Sequence, residues 1–67
     1  MIMNDKIAGF RRICGLTQAQ MAEKLSISVT TYRNKESGKT KFTSEEMKIF
    51  TDLVKTIINV EMESIFF

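Results

Sequence analysis

Residues 16–38, LTQAQMAEKLSISVTTYRNKESG, predict two short helices joined by a tight turn. Thr17 can cap the first helix, and Gln20 three residues later completes a capping box. The apolar residues of this helix recur at helical spacing and form one buried face, made of Met21, Ala22 and Leu25. The turn follows at residues 26–28, where Ser28 can cap the second helix. We expect the remainder of the chain to pack around this unit.

The second helix, predicted over residues 29–36, carries few apolar side chains. Only Val29 and Tyr32 are apolar, and Tyr32 is expected in the core with its hydroxyl at the rim. A helix this short is marginal in isolation, so its neighbours must hold it with its polar side chains directed outward. The polar residues without an evident core role are Thr30, Thr31, Arg33, Asn34 and Lys35. This pattern is typical of a helix presented to a binding partner.

A first helix is predicted over residues 4–14. Asn4 can cap its start, and Gly15 can end it by adopting the left-handed backbone conformation. Its apolar face consists of Ile7, Phe10 and Cys14. Gly9 inside this helix costs ~1 kcal/mol relative to Ala, and close packing is the one reason the sequence offers for it. Cys14 is expected to be a buried structural thiol.

A fourth helix is predicted over residues 44–58, begun by a capping box of Thr43 and Glu46 and ended by a left-handed Asn59. Its apolar residues are Met47, Phe50, Val54, Ile57 and Ile58, with Ile49 and Leu53 beside them. Residues 60–66 then predict a short fifth helix or turn. No segment of the chain predicts a strand.

The composition of the 67 residues narrows the function. The chain has no His and one Cys, which excludes the common zinc sites and His-based catalysis. We therefore expect no enzyme activity, no metal, no cofactor and no small-molecule substrate. No signal peptide follows the first methionine, and no apolar run approaches the ~20 residues of a membrane span. These features predict a cytoplasmic protein without membrane association.

Charge is distributed unevenly along the chain. Residues 24–41 contain five basic residues against one acidic residue, whereas residues 42–67 contain two basic against five acidic residues. The basic part coincides with the polar helix and the loop after it. A domain that binds a polyanion would place its charge in this way.

Several segments match one family pattern. They are Leu16-Thr17-Gln18, Met21-Ala22-Glu23-Lys24-Leu25, Ile27-Ser28 and Glu36-Ser37-Gly38-Lys39, followed by Val60, Met62, Ile65 and Phe66. In these segments the sequence resembles the helix-turn-helix domain of phage repressors and Cro proteins, the lambda-repressor-like or XRE family. Ser26 and Lys35 depart from the pattern, which usually has Gly and an apolar or aromatic residue there. The resemblance implies a single all-α domain, residues 1–67, with five helices and its helix-turn-helix at residues 17–36.

The resemblance implies a sequence-specific DNA-binding transcriptional regulator of a bacterium or its phage. Its recognition helix, residues 29–36, would enter the major groove of a double-stranded DNA operator. A weak homodimer is expected through helices 4 and 5, since the predicted fourth helix would expose Ile49 or Leu53. The alternative is an antitoxin-like or other protein-interaction module on the same fold. The basic stretch favours DNA, whereas the apolar residues 65–67 favour an association surface.

Site residues are expected in three groups. Base contacts are expected from Val29, Thr30, Arg33 and Asn34, because Arg can donate twice to guanine, Asn can pair twice with adenine, and Val or Thr can contact a thymine methyl group. Phosphate contacts are expected from Thr17, Gln18, Ser28, Thr31, Ser37, Lys39 and Lys41. The resemblance also implies an ion pair between Arg11 and Glu36. The alternatives are solvated side chains at Arg11, Gln18, Glu36, Lys39 and Lys41.

Overall fold

The computed structural model describes residues 5–67, which form five helices. They are α1 (Asp5–Ile13), α2 (Gln18–Lys24), α3 (Val29–Glu36), α4 (Ser44–Lys55) and α5 (Met62–Phe66). No strand occurs within these residues, and the predicted all-α class is confirmed. None of the described helices is long and apolar enough to cross a membrane. The predicted Asn4 cap lies outside the described residues.

Side-chain caps fix where α2, α3 and α4 begin. Thr17 and Gln20 form the predicted capping box at α2, and Thr43 and Glu46 form the one at α4. At α3, the Ser28 hydroxyl accepts a hydrogen bond from the third backbone N–H of the helix at 3.1 Å. These caps satisfy N–H groups that the start of a helix leaves without partners.

The turn between α2 and α3 passes through Ser26, whose φ is 61°. The Ile27 N–H donates to the Ala22 carbonyl at 3.0 Å, and the Ser26 N–H donates to the Glu23 carbonyl at 3.1 Å. This pair of bonds is a Schellman motif. A Cβ is costly in the left-handed conformation, which explains why Gly is the usual residue at this position of the family pattern.

The core contains buried side chains from all five helices, with Ile7 as the contribution of α1. Those buried completely are Tyr32, Phe50, Met21, Ile65 and Val54. Phe42 and Phe66 pack edge to face beside them, with ring centroids 5.2 Å apart. α3 packs against α2, and α5 packs against α1 and α4. The polar helix α3 is thereby held by Tyr32 and by its packing against α2.

α4 ends at Lys55 rather than at the predicted Ile58. The Thr56 hydroxyl donates to the Leu53 carbonyl at 2.6 Å, which satisfies one of the acceptors exposed at the helix end. Three consecutive β-branched residues from Thr56 onward also disfavour continuation of the helix. Ile57 is 55% exposed, so its predicted place on the buried face is wrong.

The structure corrects four smaller expectations. Among residues 5–67, Ser26 is the one non-glycine with a positive φ, so Asn59 is not a left-handed terminator. Ile49 and Leu53 pack against the core instead of standing exposed. Within residues 5–67, no atom beyond the neighbouring helix backbone lies within 4 Å of a Cβ built on Gly9, so the described residues provide no close packing there. Cys14 is half-buried rather than buried.

Candidate nucleic-acid interface

α3 has one buried side and one exposed side. Tyr32 and Glu36 face the interior, whereas Thr30 and Arg33 are exposed. The half-buried residues between these two sides are Val29, Thr31, Asn34 and Lys35. The helix therefore presents a narrow polar surface to solvent, as its low apolar content predicts.

Glu36 is the centre of a buried hydrogen-bond network. Its Oε2 accepts a bond from Arg11 Nε at 2.8 Å and another from the Tyr32 hydroxyl at 2.7 Å. Arg11 Nη1 also donates to the Leu16 carbonyl at 2.8 Å. The ion pair that the resemblance implies is thus present, and it ties α3 to α1 and to the loop before α2. The Tyr32 hydroxyl lies inside the network and not at the rim of the core, contrary to the prediction.

The network fixes the charge state of its members. Burial raises the pKa of Glu36, but the hydrogen bonds from Arg11, Tyr32 and Gln18 lower it by more, and the net pKa lies below the ordinary value. The bond to Glu36 raises the pKa of Arg11. Burial, followed by the bond to Glu36, raises the pKa of Tyr32 far above its ordinary range. At neutral pH the network therefore contains a carboxylate, a guanidinium and a neutral phenol.

Gln18 joins this network to the exposed side of α3. Its Nε2 donates to Glu36 Oε1 at 2.8 Å, and its Oε1 accepts from Arg33 Nε at 3.1 Å. A carboxamide nitrogen carries two hydrogens, so one N–H is left for the predicted phosphate contact. Sequence reasoning missed both contacts, because partners 15 and 18 residues apart in the chain produce no spacing signal.

Lys35 belongs to the core side of the helix, although the sequence predicts it on the outward polar face. Its Nζ forms an ion pair with Glu46 Oε1, and both side chains are 11% exposed. Glu46 also accepts the backbone N–H of Thr43 at 2.9 Å. Burial raises the pKa of Glu46, but the bonds from Lys35 and Thr43 lower it below its ordinary value. Lys35 can replace the usual apolar residue because a buried anion faces it.

The loop between α3 and α4 carries Lys39 and Lys41, both exposed. Within residues 5–67 neither ammonium group forms an ion pair. The Lys39 N–H donates to the Asn34 carbonyl at 2.8 Å, which Gly38 permits through its φ of 91°. The Ser37 hydroxyl donates to the same carbonyl at 3.1 Å. The start of this basic loop is therefore fixed to the end of α3.

Two of the hydroxyl groups predicted to contact phosphate, those of Thr17 and Ser28, cap α2 and α3. Ser28 Oγ donates to Thr31 Oγ1 at 2.8 Å, which uses its hydroxyl hydrogen. Thr17 Oγ1 accepts the Gln20 N–H at 3.1 Å. Because a hydroxyl both donates and accepts, Thr17 and Thr31 each keep a hydrogen for a further acceptor, whereas Ser28 does not.

Residues 7–53 match the family model described as helix-turn-helix. The chain belongs to the helix-turn-helix family. It is also similar to RstR, the cryptic phage CTXphi transcriptional repressor of Vibrio cholerae serotype O1 (strain ATCC 39315 / El Tor Inaba N16961), with 34% identity over 59 residues. That similarity covers 88% of this chain and 53% of the relative, so the chain spans about half the length of the curated relative it matches. No solved structure matches the chain at a significant level.

The helix-turn-helix unit brings together most of the residues predicted to bind DNA. α2, the turn and α3 place Thr30, Arg33 and Gln18 on or beside one polar surface, and the following loop adds its two lysines. Among the predicted base contacts, Thr30 and Arg33 are exposed, whereas Val29 and Asn34 are half-buried, and Val29 packs against the core. Tyr32 is a network member that sequence reasoning assigned to packing alone. Its spacing of four residues from Glu36 is the signal that could have revealed the bond.

Proposed function

We propose that this helix-turn-helix chain binds double-stranded DNA at a specific operator and regulates transcription from the cytoplasm of a bacterium. One observation supports this above all others: α3 is short and polar, yet it is fixed on its inner side by a buried network centred on Glu36. A helix held in this way can present side chains to the major groove without unfolding. The similar phage protein is a transcriptional repressor, which supports regulation by occupation of an operator.

Base recognition is assigned to the outer side of α3. Arg33 can donate two hydrogen bonds to guanine, and Asn34 can pair twice with adenine. Thr30 is exposed and can contact a thymine methyl group, and the unburied part of Val29 can do the same. Thr30 and Arg33 carry most of this proposal because they are the exposed members of the set.

Phosphate contacts are assigned to both flanks of α3. Thr17, Gln18 and Thr31 each have a hydrogen available for a phosphate oxygen, and Ser28 would have to exchange its internal bond for one to DNA. On the other flank, Lys39 and Lys41 are exposed in the basic loop. Ser37 is also exposed, but its hydroxyl donates to the Asn34 carbonyl and, like that of Ser28, would have to exchange this bond for one to DNA. Contacts of this kind fix the register of a protein on the duplex and carry no base information themselves.

Selection from a pool of random double-stranded DNA tests the proposal. We expect the purified chain to enrich one recurring sequence, and we expect Arg33→Ala and Asn34→Ala each to relax preference at one or two positions of it. Each substitution should reduce binding to the selected site by ~1–3 kcal/mol. Thr56→Ala, outside the interface, is the matched control and should enrich the same sequence as the unaltered chain. Enrichment of no sequence at all would contradict the proposal.

We also propose a weak homodimer through the α4–α5 region. Its support is the exposure of two large apolar side chains there, Ile57 after α4 at 55% and Phe67 after α5 at 79%. Symmetric dimers of this kind bind two half-sites about one DNA turn apart. Sedimentation of the chain with a two-half-site operator should show two protomers per duplex, and Ile57→Ser should weaken the second binding step. One protomer per duplex at saturation would contradict dimerisation.

A second candidate function is a protein-interaction module. A groove of about 400 Å³ favours it, because its lining combines apolar residues, including Phe42, Phe66 and Phe67, with the basic residues Lys6 and Lys41. Such a groove suits an acidic segment with apolar side chains. Titration with bulk DNA at two salt concentrations separates the two functions. Salt-sensitive binding supports the DNA function, and its absence supports the interaction module.

A further inference from the structure

The carboxamide of Gln18 has a defined orientation between α2 and α3. Glu36 is an acceptor at neutral pH, so the atom of Gln18 that faces Glu36 Oε1 at 2.8 Å must be the NH₂ group. The carbonyl oxygen then faces the opposite direction and accepts the Nε–H of Arg33 at 3.1 Å. A carboxamide turned the other way would place two acceptors together and two donors together. The orientation is therefore imposed by the neighbours and not by Gln18 itself.

Glu36 can impose this orientation because its own carboxylate is fixed. Arg11 and the Tyr32 hydroxyl both donate to Oε2 from within the buried network. The remaining oxygen, Oε1, is thereby held toward α2, where Gln18 meets it. A continuous series of hydrogen bonds thus runs from the buried Arg11 to the exposed Arg33.

This series determines which face of the Arg33 guanidinium is available. Its Nε–H is used by Gln18, and the described residues supply no other hydrogen bond to the group. The two terminal nitrogens are thereby left without a hydrogen-bond partner among residues 5–67. These are the nitrogens that can donate together to the O6 and N7 atoms of one guanine.

We infer that Gln18 is a positioning residue for base recognition: it orders Arg33 in the free protein so that the guanidinium meets the DNA with its terminal nitrogens. The inference rests on the proposed function and deepens it. A flexible arginine loses much rotamer freedom when it binds, and a side chain ordered beforehand loses less. Gln18 therefore contributes to the choice of base as well as to the predicted phosphate contact.

A double-mutant cycle separates positioning from a simple phosphate contact. The variants are Gln18→Met, which keeps the length of the side chain without its hydrogen bonds, Arg33→Ala, and the double variant. Affinity is measured for the selected operator and for an operator in which the base pair read by Arg33 is replaced. We expect Gln18→Met to lower the preference for that base pair about 5-fold or more, with little further loss when Arg33 is already Ala.

A phosphate contact alone predicts a different result. Gln18→Met would then weaken both operators equally, and its effect would multiply with that of Arg33→Ala. That result would overturn the inference. If instead Arg33→Ala left base preference unchanged, base recognition by Arg33 would be contradicted, and the inference about Gln18 would fail with it. If Arg33→Ala changed base preference but Gln18→Met weakened both operators equally, the inference alone would fail. Circular dichroism of each variant shows whether its fold is retained.

NMR of the free protein provides a readout that does not depend on DNA. In the unaltered chain the Arg33 Nε–Hε group should show the restricted motion of an ordered side chain, measured by its heteronuclear NOE. Gln18→Met should reduce that NOE, whereas Glu23→Gln at an exposed position of the same helix should leave it unchanged. An NOE that is equally high in the Gln18→Met chain would overturn the inference even where Gln18→Met reduces affinity.

Discussion

Arg11 and Glu36 are separated by 25 positions in the chain and joined by a 2.8 Å hydrogen bond between Nε and Oε2. Their side chains are 10% and 9% exposed, so the pair lies almost entirely out of water. Each charge is also bonded to a second group, Arg11 to the Leu16 carbonyl and Glu36 to the Tyr32 hydroxyl. Replacing only one member of such a buried, hydrogen-bonded ion pair is costly, because the other charge then stays buried without its counter-charge.

The first prediction is that Glu36→Ala destabilises the chain by ~3–5 kcal/mol, because it leaves the Arg11 guanidinium buried without its counter-charge. Urea denaturation followed by circular dichroism measures the loss. Glu23→Ala is the matched control, since Glu23 is exposed on α2 and should change the free energy of unfolding by ~0.5 kcal/mol or less. A Glu36→Ala chain that unfolds at nearly the same urea concentration as the control would contradict a structural role for the pair.

The second prediction concerns the loss of folding stability at acidic pH. Glu36 and Glu46 both have pKa values in the folded chain below the ordinary 4.5, since hydrogen bonds from their partners outweigh the effect of burial. A carboxyl with a lowered folded pKa contributes stability above its unfolded pKa and loses that contribution as pH falls through the folded pKa. The free energy of unfolding should therefore be nearly constant from about pH 7 to 5 and should fall below about pH 4.5.

Urea denaturation at a series of pH values tests this. Glu46→Gln keeps an acceptor for the Thr43 N–H but removes the titrating group, so its stability should fall less steeply on acidification. Stability that increased between pH 5 and pH 3 would show that the two carboxyl groups are not held as anions in the folded state.

The sequence predicts the helix starts well and the network poorly, for a physical reason. A capping box such as Thr17 with Gln20 is made by residues three positions apart, and its chemistry is visible in the sequence. The bonds from Gln18 to Arg33 and Glu36 depend on how α3 lies across α2. No local pattern encodes that crossing. The resemblance implies the Arg11–Glu36 pair, but not the bonds of Gln18, Tyr32 and Arg33 that extend it.

The helix end at Lys55 was missed for a related reason. Apolar periodicity continues past it through Ile57 and Ile58, and periodicity was the evidence for the predicted end. The competing signal was weaker: a Thr56 hydroxyl able to bond the Leu53 carbonyl, within a run of β-branched residues. The inward position of Lys35 is hidden from the sequence in a similar way. Its partner Glu46 lies 11 positions away, and the local pattern around Glu46 indicates only a cap of α4.

The third prediction compares two glycines that differ in backbone conformation. Apart from neighbouring backbone, no atom in the described part of the chain lies within 4 Å of a Cβ built on Gly9 or on Gly15. Gly9 lies inside α1, whereas Gly15 has a φ of 73°. Gly9→Ala should therefore stabilise the chain by ~1 kcal/mol through helix propensity. Gly15→Ala should destabilise it by ~1 kcal/mol, because Ala disfavours the left-handed conformation.

Thermal denaturation of the two variants measures both effects. Neither added Cβ would contact an atom of the described residues beyond neighbouring backbone. A change in the free energy of unfolding that has opposite signs in the two variants would therefore identify backbone conformation as the cause. A lower midpoint for Gly9→Ala would contradict the prediction, since it would show that α1 requires Gly9 for something other than a helical backbone.

The last prediction distinguishes the proposed phosphate contacts of the basic loop from the proposed base contacts of α3. Lys39 and Lys41 are exposed, and within the described part of the chain no acidic side chain pairs with them. If they bind phosphate, Lys39→Ala and Lys41→Ala should each weaken binding to operator and random DNA alike. Each should also lower the slope of log K against log salt by about 0.9, the contribution of one neutralised phosphate. Lys55→Ala, in the acidic half of the chain, is the matched control and should leave the slope unchanged. Titrations at several salt concentrations measure the slope, and an unchanged slope for both loop variants would place the DNA backbone elsewhere on the protein.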